Sequence, residues 1–179
     1  MARRGCRIIA AAAYAACIAS PAAAEDTSYA KSIDVAVQGT VVQRCAMGSD
    51  VTTDLGTLTG AARSVAARFQ LDCNVPFVLS IRAQNGAIQH ETMPGGQGGY
   101  AGSLPYSLDV ELPIRRPAQE LISKAFDGRA LIGGQSLSSA GGIALDGMLL
   151  RLNVGSVTSS AGLLAGNYGE VITITIAPS

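Results

Sequence analysis

Short stretches in which apolar and polar residues alternate recur along most of this chain. The clearest is near the end, where Ile172, Ile174 and Ile176 alternate with Thr173 and Thr175. Alternation with a period of two is typical of a strand that is buried on one face. A strand at the edge of a sheet also presents unpaired backbone groups to which other chains can add. The pattern therefore predicts a terminal strand and raises the question of what pairs with its edge.

Similar runs upstream predict about seven more short strands, separated by glycine, proline or a turn signal such as Asn85-Gly86. They fall at 33–42, 51–58, 65–72, 77–81, 104–112, 130–132 and 143–154. The stretch 118–126 predicts one or two helical turns, or a loop with an apolar edge. Many short strands with Gly-rich turns and little helix predict an all-β fold, and a β-sandwich rather than a barrel.

The first two dozen residues are typical of an export signal that is later removed. Arg3, Arg4 and Arg7 precede an apolar stretch at 8–18, which is too short to anchor the chain in a membrane. Small residues at 22–24 predict cleavage after Ala24, which leaves residues 25–179 as one domain without a stable membrane span. A lipoprotein cleavage box at 14–17 and a twin-arginine signal are alternatives that fit the sequence less well.

Cys45 and Cys73 are the two cysteines that remain after the leader is removed. An even pair in an exported chain predicts a disulfide, because the compartments outside the inner membrane are oxidising. A metal site is disfavoured because only His90 could join the two cysteines and their spacing is not that of a metal motif.

The composition and motifs disfavour nucleic-acid binding and catalysis. Without the leader, the chain has ten basic and thirteen acidic residues, which gives a net charge of −3. A nucleic-acid-binding protein typically carries an excess of positive charge, which this chain lacks. His90, beside Glu91 and a Gly-rich loop, is interpreted as a solvated loop residue. The run 96–101 formally fits a dinucleotide-binding pattern, but no predicted strand precedes it and no helix follows. We therefore predict no catalytic residue, no cofactor and no enzyme activity.

Four local patterns occur in an order that carries a resemblance to a known family. A strand runs into each cysteine, at 39–45 and 68–73; Asp54-Leu55-Gly56 lies between them, and 164–170 precedes the terminal strand. This order resembles the exported pilin subunits of chaperone–usher fimbriae, most closely the archaic branch with its spore coat protein U domain. The Asp-Leu-Gly pattern also matches type 1-like pilins. The resemblance covers essentially the whole mature chain.

The resemblance implies an immunoglobulin-like β-sandwich that lacks one strand. In that family a periplasmic chaperone strand fills the groove first, and the N-terminal extension of the next subunit replaces it during assembly at an outer-membrane usher. Cys45 and Cys73 match the family disulfide. The groove edge corresponds to the terminal strand, with Ile172, Ile174 and Ile176, and the candidate donor residues are Ile33, Val35 and Val37.

The expected function is that of a structural subunit of a surface fimbria, exported through the periplasm to the cell surface and serving adhesion or biofilm formation. Its partners would be the chaperone, the usher, and neighbouring copies or other pilin subunits. The alternative is a self-complete, monomeric secreted β-sandwich that acts as a binding domain, in which residues 33–43 form the domain's own first strand.

Overall fold

A computed structural model describes residues 32–48, 53–144 and 146–179 of the chain. The predicted leader and its cleavage after Ala24 lie outside the described residues. The chain divides into two units, residues 1–39 and 40–179. In the first unit, the described residues 32–39 contain no helix or strand. The side chains of Ile33, Val35 and Val37 are exposed.

Among the described residues, the second unit contains twelve strands and one short helix. The strands are β1 Cys45–Met47, β2 Arg63–Phe69, β3 Leu71–Cys73, β4 Phe77–Ala83, β5 Ile88–His90, β6 Ser103–Leu104, β7 Tyr106–Arg116, β8 Ala118–Asp127, β9 Gln135–Ser138, β10 Met148–Val154, β11 Tyr168–Gly169 and β12 Ile172–Pro178. The helix α1 spans Gly128–Ile132 and follows β8 directly.

Two antiparallel sheets form the main body of this unit. One has the strand order β2-β10-β7-β8 and the other the order β12-β4-β9. Two further sheets of shorter strands have the orders β1-β3 and β11-β5-β6. The predicted all-β sandwich is therefore confirmed.

The core forms because β4 and β7 each turn one apolar face inward. In β7 every second residue from Tyr106 to Ile114 is buried, and in β4 every second residue from Phe77 to Ala83 is buried. Burying each large apolar side chain contributes about 1.5–3 kcal/mol. These two strands lie inside their sheets, which explains why their alternation is the strongest in the chain.

Four local predictions are wrong. The strands predicted at 33–42 and 51–58 do not form: residues 33–42 and the described residues 53–58 contain no strand, because their backbone has no partner strand in the described structure.

The stretch 118–126 is not helical but forms β8, which pairs with β7 from Arg116↔Ala118 to Ser107↔Asp127. Its side chains are mostly exposed on both faces, so alternation is absent from its sequence. Residues 130–132 belong to α1 instead of a strand, because the carboxylate of Asp127 accepts a hydrogen bond from Arg129 N (2.9 Å) and caps a helix there.

The predicted disulfide is confirmed, and it joins Cys45 to Cys73. The two residues are direct partners in the β1–β3 pair, with their Cα atoms 4.1 Å apart. Next to this bond, the Asn74 side chain accepts a hydrogen bond from Arg44 N (2.7 Å) and donates one to Val42 O (2.8 Å). The residues just before β1 are therefore fixed to the turn between β3 and β4.

No helix in the described part of the chain is long and apolar enough to cross a membrane.

Candidate functional site

A cleft opens between the first strand of one sheet and the terminal strand of the other. Its volume is about 1310 Å³. β2 and β12 border it, and each is the edge strand of its sheet, with one partner strand among the described residues. Each strand thus has one row of backbone N–H and C=O groups with no ladder partner in the described structure. A cleft with two free edges can accept an additional strand.

The wall formed by β2 turns one apolar face toward the cleft. Val65, Ala67 and Phe69 are half-buried and line the cleft, whereas the residues between them are exposed. This is the predicted alternation of 65–72, here placed on a sheet edge.

The floor of the cleft belongs to the neighbouring strand β10. The lining side chains of β10 stand directly opposite those of β2 in the register: Met148↔Phe69, Leu150↔Ala67 and Leu152↔Val65. Leu108 of β7 continues the floor. The floor is a continuous apolar surface, so a strand that enters the cleft would extend the hydrophobic core.

The opposite wall is the terminal strand β12. Ile172, Ile174 and Ile176 are half-buried and pack against the core, while Thr173 and Thr175 are exposed. Ile172 and Ile174 line the cleft, and Ile176 is not among its lining residues. The strand alternates because its isoleucine face packs against the core while its threonine face is exposed. Part of the isoleucine face also lines the cleft.

The segment 53–58 runs beside the cleft without forming a strand. Leu55 and Leu58 pack against the core and line the cleft. The guanidinium of Arg63 donates hydrogen bonds to the backbone oxygens of Leu55 and Thr57. The carboxylate of Asp54 accepts from Gly56 N (2.7 Å), and Gly56 adopts a φ of 61°, which favours glycine. The Asp-Leu-Gly pattern is thus a turn that places Leu55 on the wall.

The prediction that His90 is a solvated loop residue is wrong. His90 ends β5 and is 8% exposed, and its ring packs edge-on against Tyr168 with the ring centroids 5.2 Å apart. Sequence reasoning missed the burial of His90 because Ala165 and Tyr168, which contact its ring, lie more than 70 positions away, in the segment Leu163–Val171 that lines the cleft.

Tyr168 is a titratable residue that lines the cleft. Burial raises the pKa of the Tyr168 hydroxyl, and a hydrogen bond to the backbone of Leu164 opposes that shift. No group of three or more His, Cys, Asp or Glu residues in the described ranges could hold a metal ion. The lining is mainly aliphatic, so what this site offers is apolar surface and backbone hydrogen bonds.

Comparison of the sequence with protein-family models and with curated proteins finds no match.

Proposed function

We propose that this chain is a structural subunit of a chaperone–usher surface fimbria, whose cleft accepts a β-strand from a partner. The observation that carries the proposal is the apolar cleft between two edge strands, β2 and β12. A periplasmic chaperone would supply the first strand, and the N-terminal segment of a neighbouring subunit would replace it. The immunoglobulin-like, spore coat protein U type of pilin domain is part of this proposal, as is its service in adhesion or biofilm formation.

The candidate donor is the segment that contains Ile33, Val35 and Val37. These side chains are between 76% and 89% exposed, which is unusual for residues of this type. They alternate with the polar or small residues Asp34 and Ala36, so an extended conformation would place all three on one face. That face matches the alternation of the cleft walls.

The energetics favour strand addition over solvent exposure. Each β-branched side chain transferred into the cleft would contribute about 1.5–3 kcal/mol, and each net ladder hydrogen bond about 0.5–1.5 kcal/mol. A strand as long as β12, seven residues, would run along roughly 23 Å of edge. The self-complete alternative, with 33–43 as the domain's own first strand, would place that segment in a sheet, and no strand occurs in the described residues before Cys45.

A pair of complementary variants tests the proposal. Val35→Asp disables the donor and leaves the cleft intact, whereas Ile174→Asp places a charge in the cleft and leaves the donor intact. Each oxidised chain is refolded alone, and polymers are measured by electron microscopy and by unheated gel electrophoresis. We expect neither variant to polymerise, because a buried unpaired carboxylate is strongly disfavoured.

Mixing the two variants gives the sharper result. The intact donor of the Ile174→Asp chain can enter the intact cleft of the Val35→Asp chain, and assembly then stops, so we expect heterodimers only. Thr173→Asp is the matched control, since Thr173 is exposed on the same strand opposite Arg82 and its substitution leaves both walls unchanged. Polymers of undiminished length from Ile174→Asp would contradict the proposal.

A further inference from the structure

The sandwich has a second side on which both main sheets end. β8 is the last strand of the four-stranded sheet, and β9 is the last strand of the three-stranded sheet. Each has one partner strand among the described residues, as β2 and β12 do at the cleft. The side formed by β8 and β9 is called the second seam. The fold therefore has two sides on which a partner's strand could add, and strand order alone does not choose between them.

β8 carries charged residues on the face that it turns toward the core. Residues that stand directly opposite each other in an antiparallel pair point to the same face. Glu120 stands opposite Ile114 and Lys124 opposite Val110, and both of these β7 residues are buried. At the cleft, the inward positions of β2 are all apolar: Val65, Ala67 and Phe69. The two sides of the sandwich thus differ in the charge of their inward side chains.

Lys124 reaches across the second seam. Its ammonium group donates a hydrogen bond to the backbone oxygen of Ser136 in β9 at 3.3 Å. The same group lies 4.8 Å from the centroid of the Phe126 ring, which is on the same face of β8, and this contact is a cation–π interaction. Lys124 therefore links the edge strands of the two sheets.

Glu120 is tied to the β9 side through Arg116. The guanidinium of Arg116 donates to the carboxylate of Glu120 at 3.1 Å. It also donates to the backbone oxygen of Ala140, two residues beyond β9, at 2.6 Å. Both inward charges of β8 are therefore connected, directly or through Arg116, to the backbone at β9.

The chain itself connects β8 to β9 at the opposite end of the second seam. β8 continues directly into α1, and two residues separate α1 from β9. The two edge strands are thus joined by α1 beyond Asp127, by Lys124 along β8 and by Arg116 near the start of β8. The walls of the cleft, by contrast, have a space of about 1310 Å³ between them.

These links oppose strand addition at the second seam. A strand that paired with β8 would cover its inward face, so Lys124 and Glu120 would lose contact with water. The hydrogen bonds to Ser136 and Ala140 would also have to break. A strand that enters the cleft instead covers the isoleucines of β12 and the apolar face of β2, which favours its addition there.

We infer that Lys124 and Glu120 are specificity-determining residues that close the second seam to strands and so limit each chain to one inserted strand, in the cleft. The strand comes from a neighbouring copy of this chain. This inference rests on the proposed function, because it specifies which side of the sandwich accepts the strand. One acceptor side and one donor segment in each chain give an unbranched fibre.

The number of donor strands that one chain binds tests the inference. The full chain with Val35→Asp, whose own donor is disabled, is mixed with an excess of a synthetic peptide of residues 31–43. Native mass spectrometry counts the peptides on each chain, and we expect one. When Glu120→Val and Lys124→Val are added, the inward face of β8 becomes apolar, and we expect two peptides per chain at the same peptide concentration. Amide hydrogen exchange should then show new protection along β8.

The matched control places the same two valines on the other face of the same strand. Ser123 and Ala125 are exposed and stand opposite Glu111 and Asp109 of β7. Ser123→Val with Ala125→Val adds strand-forming residues to β8 but leaves its inward charges in place. We expect one peptide per chain, and two would overturn the inference.

Glu120→Thr with Lys124→Thr is the second variant if the valine variant does not fold. Threonine removes both charges and keeps a polar, strand-forming side chain at each position, so we again expect two peptides per chain. One peptide per chain in both the valine and the threonine variants would overturn the inference and leave the proposed function intact. Two peptides on the chain that carries only Val35→Asp would do the same. Failure of the peptide to bind that chain at all would overturn the proposed function itself, and the inference with it.

Discussion

Tyr106, the first residue of β7, has a hydroxyl group that is buried without a hydrogen-bond partner among the described residues. This burial raises the pKa of the phenol well above its usual range, and the negative charges of Glu170 and Asp127 raise it further. The folded protein therefore favours the neutral phenol. In the unfolded chain the same phenol ionises near its ordinary pKa of about 10. The free energy of unfolding therefore does not depend on this group below that pH, and it falls as the pH rises beyond it, because the unfolded chain then releases the proton more readily than the folded protein.

We expect Tyr106→Phe to stabilise the protein at pH 7 by about 1 kcal/mol, because it removes a buried group that has no partner. The variant should also lose less stability than the wild type between pH 9 and pH 11, as judged by urea unfolding at both values. Tyr100→Phe is the control, since Tyr100 is exposed on a loop. Equal pH dependence of Tyr106→Phe and the wild type would contradict the explanation.

At the scale of elements, the sequence predicts those strands whose two faces meet different surroundings. The alternation of Ile172, Ile174 and Ile176 identifies β12 because one face packs on the core and the other is exposed. β8 could not be predicted in this way, since most of its residues are exposed on both faces and its pairing with β7 determines its conformation.

The candidate site was predictable only in part. The apolar face of β12 is visible in the sequence, and so is the pattern of β2. The position of the segment Leu163–Val171 is not, because the hydrogen bonds that His90 donates to Ala165 O and that Glu170 accepts from Asn85 N join residues 75 and 85 positions apart. Nothing in the local sequence around His90 indicates a buried ring.

The half-buried state of Ile174 leads to a prediction for β12. Truncation by Ile174→Ala should cost the unpaired chain about 1 kcal/mol, because part of the side chain is already in contact with solvent. In a complex with a synthetic peptide of residues 31–43, which contains the candidate donor residues, the same truncation should cost about 3 kcal/mol, since the side chain becomes fully enclosed. Thermal unfolding with and without peptide measures both values. Thr173→Ala is the matched control on the exposed face, and equal losses for Ile174→Ala in the two states would contradict a strand in the cleft.

At the scale of the whole molecule, one covalent link supplements a core made mainly of aliphatic residues. The disulfide closes a loop over 28 positions, which includes all of β2 and the segment beside the cleft. A small number of aromatic residues and an open cleft leave less apolar area to bury than a closed sandwich of the same length would have. The disulfide therefore matters to the cleft as well as to the overall fold.

Replacing both cysteines, Cys45→Ala with Cys73→Ala, should lower the free energy of unfolding by about 3–4 kcal/mol in the loop-entropy model. Guanidinium unfolding of the double variant and of the oxidised wild type measures the difference. As a control, dithiothreitol should destabilise the wild type by a similar amount and leave the double variant unchanged. A loss below 1 kcal/mol would mean that the unfolded chain gains little freedom when the link is absent.

The position of that disulfide has a mechanical consequence. In a fibre of subunits joined by N-terminal segments, tension would enter each sandwich through Val42 and Arg44 and reach Cys45 first. There the load passes across a covalent bond to Cys73, a fully buried residue, rather than through the hydrogen bonds of the three-residue strand β1. The weakest element of a stretched fibre would then be the inserted strand, and the subunit itself would survive a pull that separates it from its neighbour.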